Sequence, residues 1–168
     1  MKDVLERRSI RKYTDEPVSG QDREKLLRAA MAAPSAGNQQ PWEFIVIDNR
    51  ETLNTMVGFH ESGGYHMLGH TPLAIIVCGD LERQLHKGYW IQDCSAATEN
   101  ILLAAQSLGL GAVWLGVYPR EARVAKIKDL FKIPESTMPL CVISIGHPAE
   151  TKKPSNRYDE SRIHHNKW

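Results

Sequence analysis

The chain has 168 residues, enough for one domain with a real core and too few for a comfortable second. Its apolar fraction of 42% and charged fraction of 24% are those of an ordinary globular protein, and 21 basic against 20 acidic residues leave a net charge of +1. That balance argues against nucleic-acid and membrane partners, whose anionic surfaces select for a basic excess. Residues 1–11 are charged and lack the apolar run of a signal peptide, and no segment approaches the ~20 apolar residues of a transmembrane helix. Three widely spaced cysteines, Cys78, Cys94 and Cys141, sit among apolar residues and read as buried free thiols. A cytoplasmic protein is expected.

In chain order, the first clear element is a helix over Ser19–Ala33. Ser19 can cap it, Asp22 suits its first turn, and Leu26, Leu27, Ala30 and Met31 form one apolar face. Trp42–Asp48 reads as a strand, followed by a short helix from about Glu51 to Val57. The segment from Gly58 to Thr71 contains Gly63, Gly64 and Gly69 and is expected to be a flexible loop with a turn or two of helix. Leu73–Cys78 is an apolar strand suited to burial on both faces. Ile91–Leu108 carries Ile91, Cys94, Ala97, Ile101, Leu102, Ala105 and Leu108 at helical spacing and ends at Gly109. Ala112–Val117 is the third strand, Pro119 is expected to open a helix reaching Phe131, and Leu140–Ile145 is the fourth strand. Helices alternating with short buried strands predict an α+β (α/β-like) sheet with helices on both faces. Residues 147–168 are polar yet end in Ile163 and Trp168, a tail that needs something outside its own fold to order it, a partner subunit being one candidate.

Several chemical motifs fail on context. Gly109, Gly111 and Gly116 close a helix and open a strand, the reverse of a dinucleotide-binding loop, and no phosphate-binding Gly-Lys-Ser/Thr sequence exists. His60, His66 and His70 are loosely spaced, and the adjacent His164 and His165 point different ways in any regular element, so no metal-ligand spacing emerges. No Gly-x-Ser-x-Gly elbow supports a serine nucleophile. Two clusters are more informative. Arg7, Arg8 and Arg11 with Ser9 between them form either a solvated charged face or an anion site, since guanidinium groups bind phosphate bidentately. Residues 33–42 (APSAGNQQPW) are either a plain connector or a loop whose small residues let a flat ligand meet the backbone.

At these clusters the sequence resembles the nitroreductase family of FMN-dependent enzymes. Arg7-Arg8-Ser9-Ile10-Arg11-Lys12-Tyr13 is similar to its N-terminal element and Pro34–Trp42 to its P-S-x-x-N-x-Q-P-W loop. Gly109–Pro119, Ile133-Pro134, Ile145-Gly146 and Ser161–Trp168 are similar to its later strand, turn and C-terminal region. The resemblance implies one FMN-binding domain spanning 1–168, with a mixed central sheet, in a homodimer whose C-terminal tails are exchanged onto the partner. It implies FMN contacts from Arg7, Arg8, Ser9 and Arg11 to phosphate and pyrimidine edge, Arg11 being the cation nominated for the reduced flavin. Pro34, Ser35, Ala36 and Asn38 would pack on the dimethylbenzene side from the other chain. Trp114, Leu115 and Gly116 would pass near flavin N5, and Lys153 or Arg157 would reach the phosphate. NADH or NADPH would be the electron donor and a small nitroaromatic or quinone-like molecule the acceptor. No protein nucleophile is needed, because the cofactor carries the chemistry. Tyr65 and His66, in the glycine-rich segment, are candidate acceptor contacts. A flavin carrier or sensor, an enone reductase or dehalogenase of the same fold, and a flavin-free domain binding an anionic partner are the competing readings.

Overall fold

A computed structural model describes residues 1–168. Its organisation turns on the second strand. Four strands, β1 (Trp42–Ile47), β2 (Leu73–Asp80), β3 (Gly111–Gly116) and β4 (Thr137–Gly146), form one sheet in the order β1-β2-β4-β3. β2 is central and buried at every position except Asp80, so both its faces need cover. The helices α2 (Gly20–Met31) and α4 (Trp90–Ser107) cover one face. The helices α3 (Arg50–Val57) and α5 (Glu121–Phe131), with a 3-10 turn at His66–Gly69, cover the other. Side chains alternate accordingly: Leu73, Ile75 and Val77 meet Cys94, Ala97 and Ile101, whereas Ala74, Ile76 and Cys78 meet Leu53, Met56 and Ile127.

Every strand pairing is antiparallel. The parallel component of the expected mixed sheet is a single bridge, Ser9 to Ala112, which docks the N-terminal segment on the outer side of β3. The docking is close: a Cβ on Gly111 would lie 2.7 Å from Ile10 Cγ2, so only glycine fits beneath that side chain.

Local signals explain most boundaries. Ser19 Oγ accepts the Asp22 amide at 3.0 Å and caps α2 as expected. The helix after Pro119 begins at Glu121, because Pro119 stands in a turn with a cis Tyr118–Pro119 peptide and Arg120 is extended ahead of the helix. β4 starts at Thr137, earlier than hydropathy predicts. Pro139 is accommodated where the β2 register shifts between Val77 and Cys78, a bulge that needs no proline N–H. A five-residue helix, α1 (Lys2–Glu6), buries nothing and carried no apolar period to announce it. Residues 151–168 are exposed along their whole length on this chain. No helix is long and apolar enough to cross a membrane. The three free thiols are buried, and burial pushes Cys78 and Cys141 up to about 12 and raises Cys94 as well, which keeps them protonated and unreactive.

The N-terminal segment is held by a buried polar chain. The Tyr13 hydroxyl donates to the Ile10 carbonyl at 2.6 Å and accepts from Ser144 Oγ at 3.0 Å. Ser144 Oγ lies 2.6 Å from Thr71 Oγ1, which is 2.9 Å from the Met67 carbonyl, so the single Thr71 proton serves either contact. Desolvation raises the Tyr13 phenol above its ordinary value, so it remains a donor. Replacing Tyr13 by Phe strands the Ile10 carbonyl in a dry site and leaves Ser144 only its contact with Thr71. The expected cost is about 1–3 kcal/mol in urea unfolding; an unchanged midpoint would show that the network contributes nothing.

Candidate active site

The arginine cluster lies along the edge of β3. Arg7 Nε is 3.3 Å from Glu99 of α4, which fixes its stem and leaves the rest of its guanidinium available. Arg8 Nε donates to the Lys153 carbonyl at 3.0 Å, and its Nη1 donates to the Arg7 carbonyl. Arg8 Nη2 is buried and has no partner in this chain, an unusual state for a charged donor. The Ser9 carbonyl accepts from Lys152 Nζ at 2.6 Å, while no bond occupies the Ser9 hydroxyl. The Arg11 amide donates to Glu150 Oε1 at 2.6 Å, a bond that holds the Glu150 carboxyl below its usual range.

Arg11 also shares a pocket of about 290 Å³ with Trp114, Leu115, Gly116, Tyr65 and His66, so the structure brings five predicted residues together with it. The volume is at the lower edge of the ~300–1,000 Å³ typical of whole ligand sites, as fits one wall of a site. Gly116 forms the open part of that wall. A Cβ there would meet nothing within 4 Å, and its φ is not in the left-handed region, so nothing in this chain requires glycine. A larger cavity of about 770 Å³ lies between Tyr118, Lys128, Ile133 and Met138 and contains none of the predicted residues.

The glycine-rich segment is less free than its composition suggests. Tyr65, Met67 and Leu68 are buried, and Arg50 donates to the Leu68 and Thr71 carbonyls at 3.1 and 2.6 Å. Tyr65 therefore does not offer its ring to an acceptor; its hydroxyl donates to the Gly116 carbonyl at 2.8 Å. His66 is exposed at the rim, with Nδ1 3.0 Å from the Gly63 carbonyl.

The loop of Pro34, Ser35, Ala36 and Asn38 is not brought to this wall. It runs into β1, one edge of the sheet, while the arginines flank β3, the other edge. Three strand spacings of about 4.8 Å separate those edges. The loop is tightly specified nonetheless. Gly37, Asn38 and Gln40 have positive φ of 57°, 56° and 50°. Ser35 Oγ accepts the Gln40 amide at 3.0 Å, and Asn38 Oδ1 accepts Gln40 Nε2 at 2.9 Å. Of the two basic tail candidates, Arg157 lines a cleft with Arg7 and Arg8, whereas Lys153 meets Arg8 through its carbonyl.

Sequence reasoning missed four residues that shape these walls. Asp93 is buried in α4, and its Oδ1 accepts the Ala36 amide at 2.9 Å, fixing the loop from below. Its signal was an acidic residue in the apolar phase of that helix. Glu150 carried no such signal. Neither did Arg123, which donates to the Gly116 carbonyl at 3.0 Å, nor Glu61, which holds Arg123 at 2.8 Å. The Arg123 guanidinium keeps the exposed Glu61 carboxyl down at about 2.

An antiparallel sheet covered on both faces, with an arginine-lined edge and an open glycine backbone along it, defines an α+β protein. The nitroreductase family model matches residues 4–67 and 55–147, and the chain belongs to that family. It is 48% identical over 172 residues to a provisionally named NADH dehydrogenase/NAD(P)H nitroreductase of Archaeoglobus fulgidus, covering 100% of this chain and 98% of that protein. An FMN-dependent nitroreductase of Clostridium difficile superposes with a TM-score of 0.93 at 37% identity over 100% of both chains. A provisionally named nitroreductase of Desulfovibrio desulfuricans, crystallised in complex with FMN, gives 0.84 at 31% identity, covering 99% of this chain and 96% of that one.

Asp93→Ala removes the acceptor beneath the Pro34–Gln40 loop. Amide exchange at Ala36 is expected to quicken at least about fivefold, the equivalent of about 1 kcal/mol. Unaltered exchange would mean that the loop holds its shape without Asp93.

Proposed function

We propose that this chain is an FMN-dependent oxidoreductase that takes electrons from NADH or NADPH and passes them to a small nitroaromatic or quinone-like acceptor. The observation that carries the reading is the wall joining Arg11 to the Trp114–Gly116 backbone; three residues earlier, in a separate cleft, Arg8 has a buried Nη2 with no partner. These residues fit FMN: an unpaired guanidinium donor suits a phosphate or pyrimidine oxygen, and the empty face of Gly116 suits close approach by a flat ring.

FMN, when bound, accepts hydride from a nicotinamide and yields electrons to a second substrate, which implies donor and acceptor visiting one face in turn. The residues of this chain bind and orient. Arg7, Arg8 and Ser9 hold the phosphate and pyrimidine edge, with Lys153 or Arg157 adding charge at the phosphate. Arg11 places a cation where the reduced cofactor is anionic. Trp114, Leu115 and Gly116 supply the rigid backbone edge near N5. His66 stands at the acceptor's entrance.

The assembly in this reading is a homodimer with two sites. Pro34, Ser35, Ala36 and Asn38 reach a flavin only from a second copy, because one chain holds them at the opposite sheet edge from its arginines. The outer side of β1 is an unpaired edge, and the exposed tail with Tyr158, Ile163 and Trp168 is suited to cover a partner. Three unpaired buried thiols fit a reducing, cytoplasmic compartment.

The purified protein is expected to be yellow, with one FMN per chain by absorbance and mass analysis of the denatured supernatant. Absence of flavin at saturating FMN overturns the reading, and failure to oxidise NADH or NADPH anaerobically with any acceptor favours a carrier or sensor instead. Gly116→Ala places a methyl in space that this chain leaves empty, so Tm should hold while FMN affinity falls by an order of magnitude or more. Arg7→Ala should weaken FMN binding by about 1.5–3 kcal/mol, the loss of a hydrogen bond to a charged group. Deleting residues 155–168 should weaken both dimer and flavin binding; a truncated dimer with unchanged flavin affinity would refute tail exchange.

A further inference from the structure

The Gly116–Val117 peptide is held more firmly than a strand end requires. The Gly116 carbonyl accepts two hydrogen bonds, from the Tyr65 hydroxyl at 2.8 Å and from Arg123 Nη1 at 3.0 Å, so both of its lone pairs are taken. The other end of the same peptide, the Val117 amide, donates to the Leu140 carbonyl at 3.1 Å. The two carbonyl donors come from separate elements. Tyr65 precedes the 3-10 turn on a buried ring, and Arg123 stands in the first turn of α5. Arg123 is itself oriented: its Nε and Nη2 both reach Glu61 Oε2, at 3.1 and 2.8 Å, and its guanidinium carbon lies 6.0 Å from the Tyr65 ring centre.

The open face of Gly116 explains why such a clamp matters. Glycine lacks the Cβ that restrains ordinary backbone, so a glycine left bare for a ligand is the position most prone to rotate. We propose that Tyr65 and Arg123 are positioning residues for the redox reaction: together they lock the Gly116–Val117 peptide plane that faces the flavin. This rests on the FMN reading above. The cationic donor also polarises the peptide, so the adjoining backbone presents a fixed dipole to the cofactor. Hydride transfer depends steeply on alignment, and a misplacement of about 1 Å can cost on the order of 100-fold.

The test uses the flavin-loaded protein and the variants Tyr65→Phe, Arg123→Gln and Arg123→Lys. Tyr65→Phe keeps the buried ring and removes only the hydroxyl, and Arg123→Gln replaces a largely buried guanidinium with a shorter amide. Both are expected to retain one FMN per chain with little change in Tm. Anaerobic single-turnover reduction by NADH or NADPH should slow about tenfold in each, equivalent to about 1.4 kcal/mol. The flavin midpoint potential should shift, and the Gly116 carbonyl-carbon NMR resonance should move upfield as donors are lost. Arg123→Lys should recover part of the rate. Natural rate, potential and carbon shift in the loaded Gln and Phe variants would overturn the clamp while leaving the FMN reading intact. Rates that fall only in step with Tm, in the Lys variant as well, would reduce the two residues to structural supports and equally overturn it. A natural protein that takes up no FMN would sink the underlying reading instead, and the carbon shift would still report whether the two donors hold Gly116.

Discussion

The buried chain of hydroxyls from Tyr13 through Ser144 to Thr71 is the contact on which the site wall depends. It ties three segments that are distant in sequence: the N-terminal strip, the last strand, and the end of the glycine-rich segment. Without it the strip has one bridge to β3, the Arg7–Glu99 ion pair and a few bonds to residues 147–153. With it, the arginines are set against the sheet edge from one side while Tyr65 is set beneath Gly116 from the other. A polar network in a dry core is costly if incomplete, but each member here has a partner, so it specifies one arrangement.

The sheet explains the rest of the geometry. Because β2 must be covered on both faces, both layers of helices are committed to packing, and the edges of β1 and β3 lie outside that packing. Each edge received its own device. At β3 charged side chains and an unclothed glycine converge; at β1 a loop with three left-handed residues is braced from below by a carboxylate in α4. Backbone in that region costs on the order of 1–3 kcal/mol per non-glycine residue, so the loop shape persists because Asp93 and Ser35 over-determine it.

Much of this was legible in the amino-acid order. Period and capping located α2 and α4, unbroken apolar runs located β2 and the middle of β4, and the arginine and P-S-A-G-N clusters marked the two segments that lie at opposite edges of the sheet. What escaped had physical reasons. Pro139 hid the start of β4, since a bulge rather than hydropathy permits it there. The helix after Pro119 began late because the proline was used in a turn. Tyr65 looked like a ligand contact because aromatic residues among glycines suggest an adaptable surface, yet its hydroxyl had a carbonyl to satisfy. Arg123 and Glu61 were ordinary surface charges by pattern; only the fold shows that their pair ends on Gly116. Pairings between residues that share no period leave no trace in a linear pattern.

The separation of the two clusters on opposite sheet edges has a thermodynamic corollary. If each cofactor cavity closes only when two chains meet, the ligand and the second chain are linked through mass action: each raises the apparent affinity for the other. Flavin content would then vary with the concentration of the protein itself, dilution would bleach it, and the prosthetic group would serve as the rivet of the assembly as well as its redox centre.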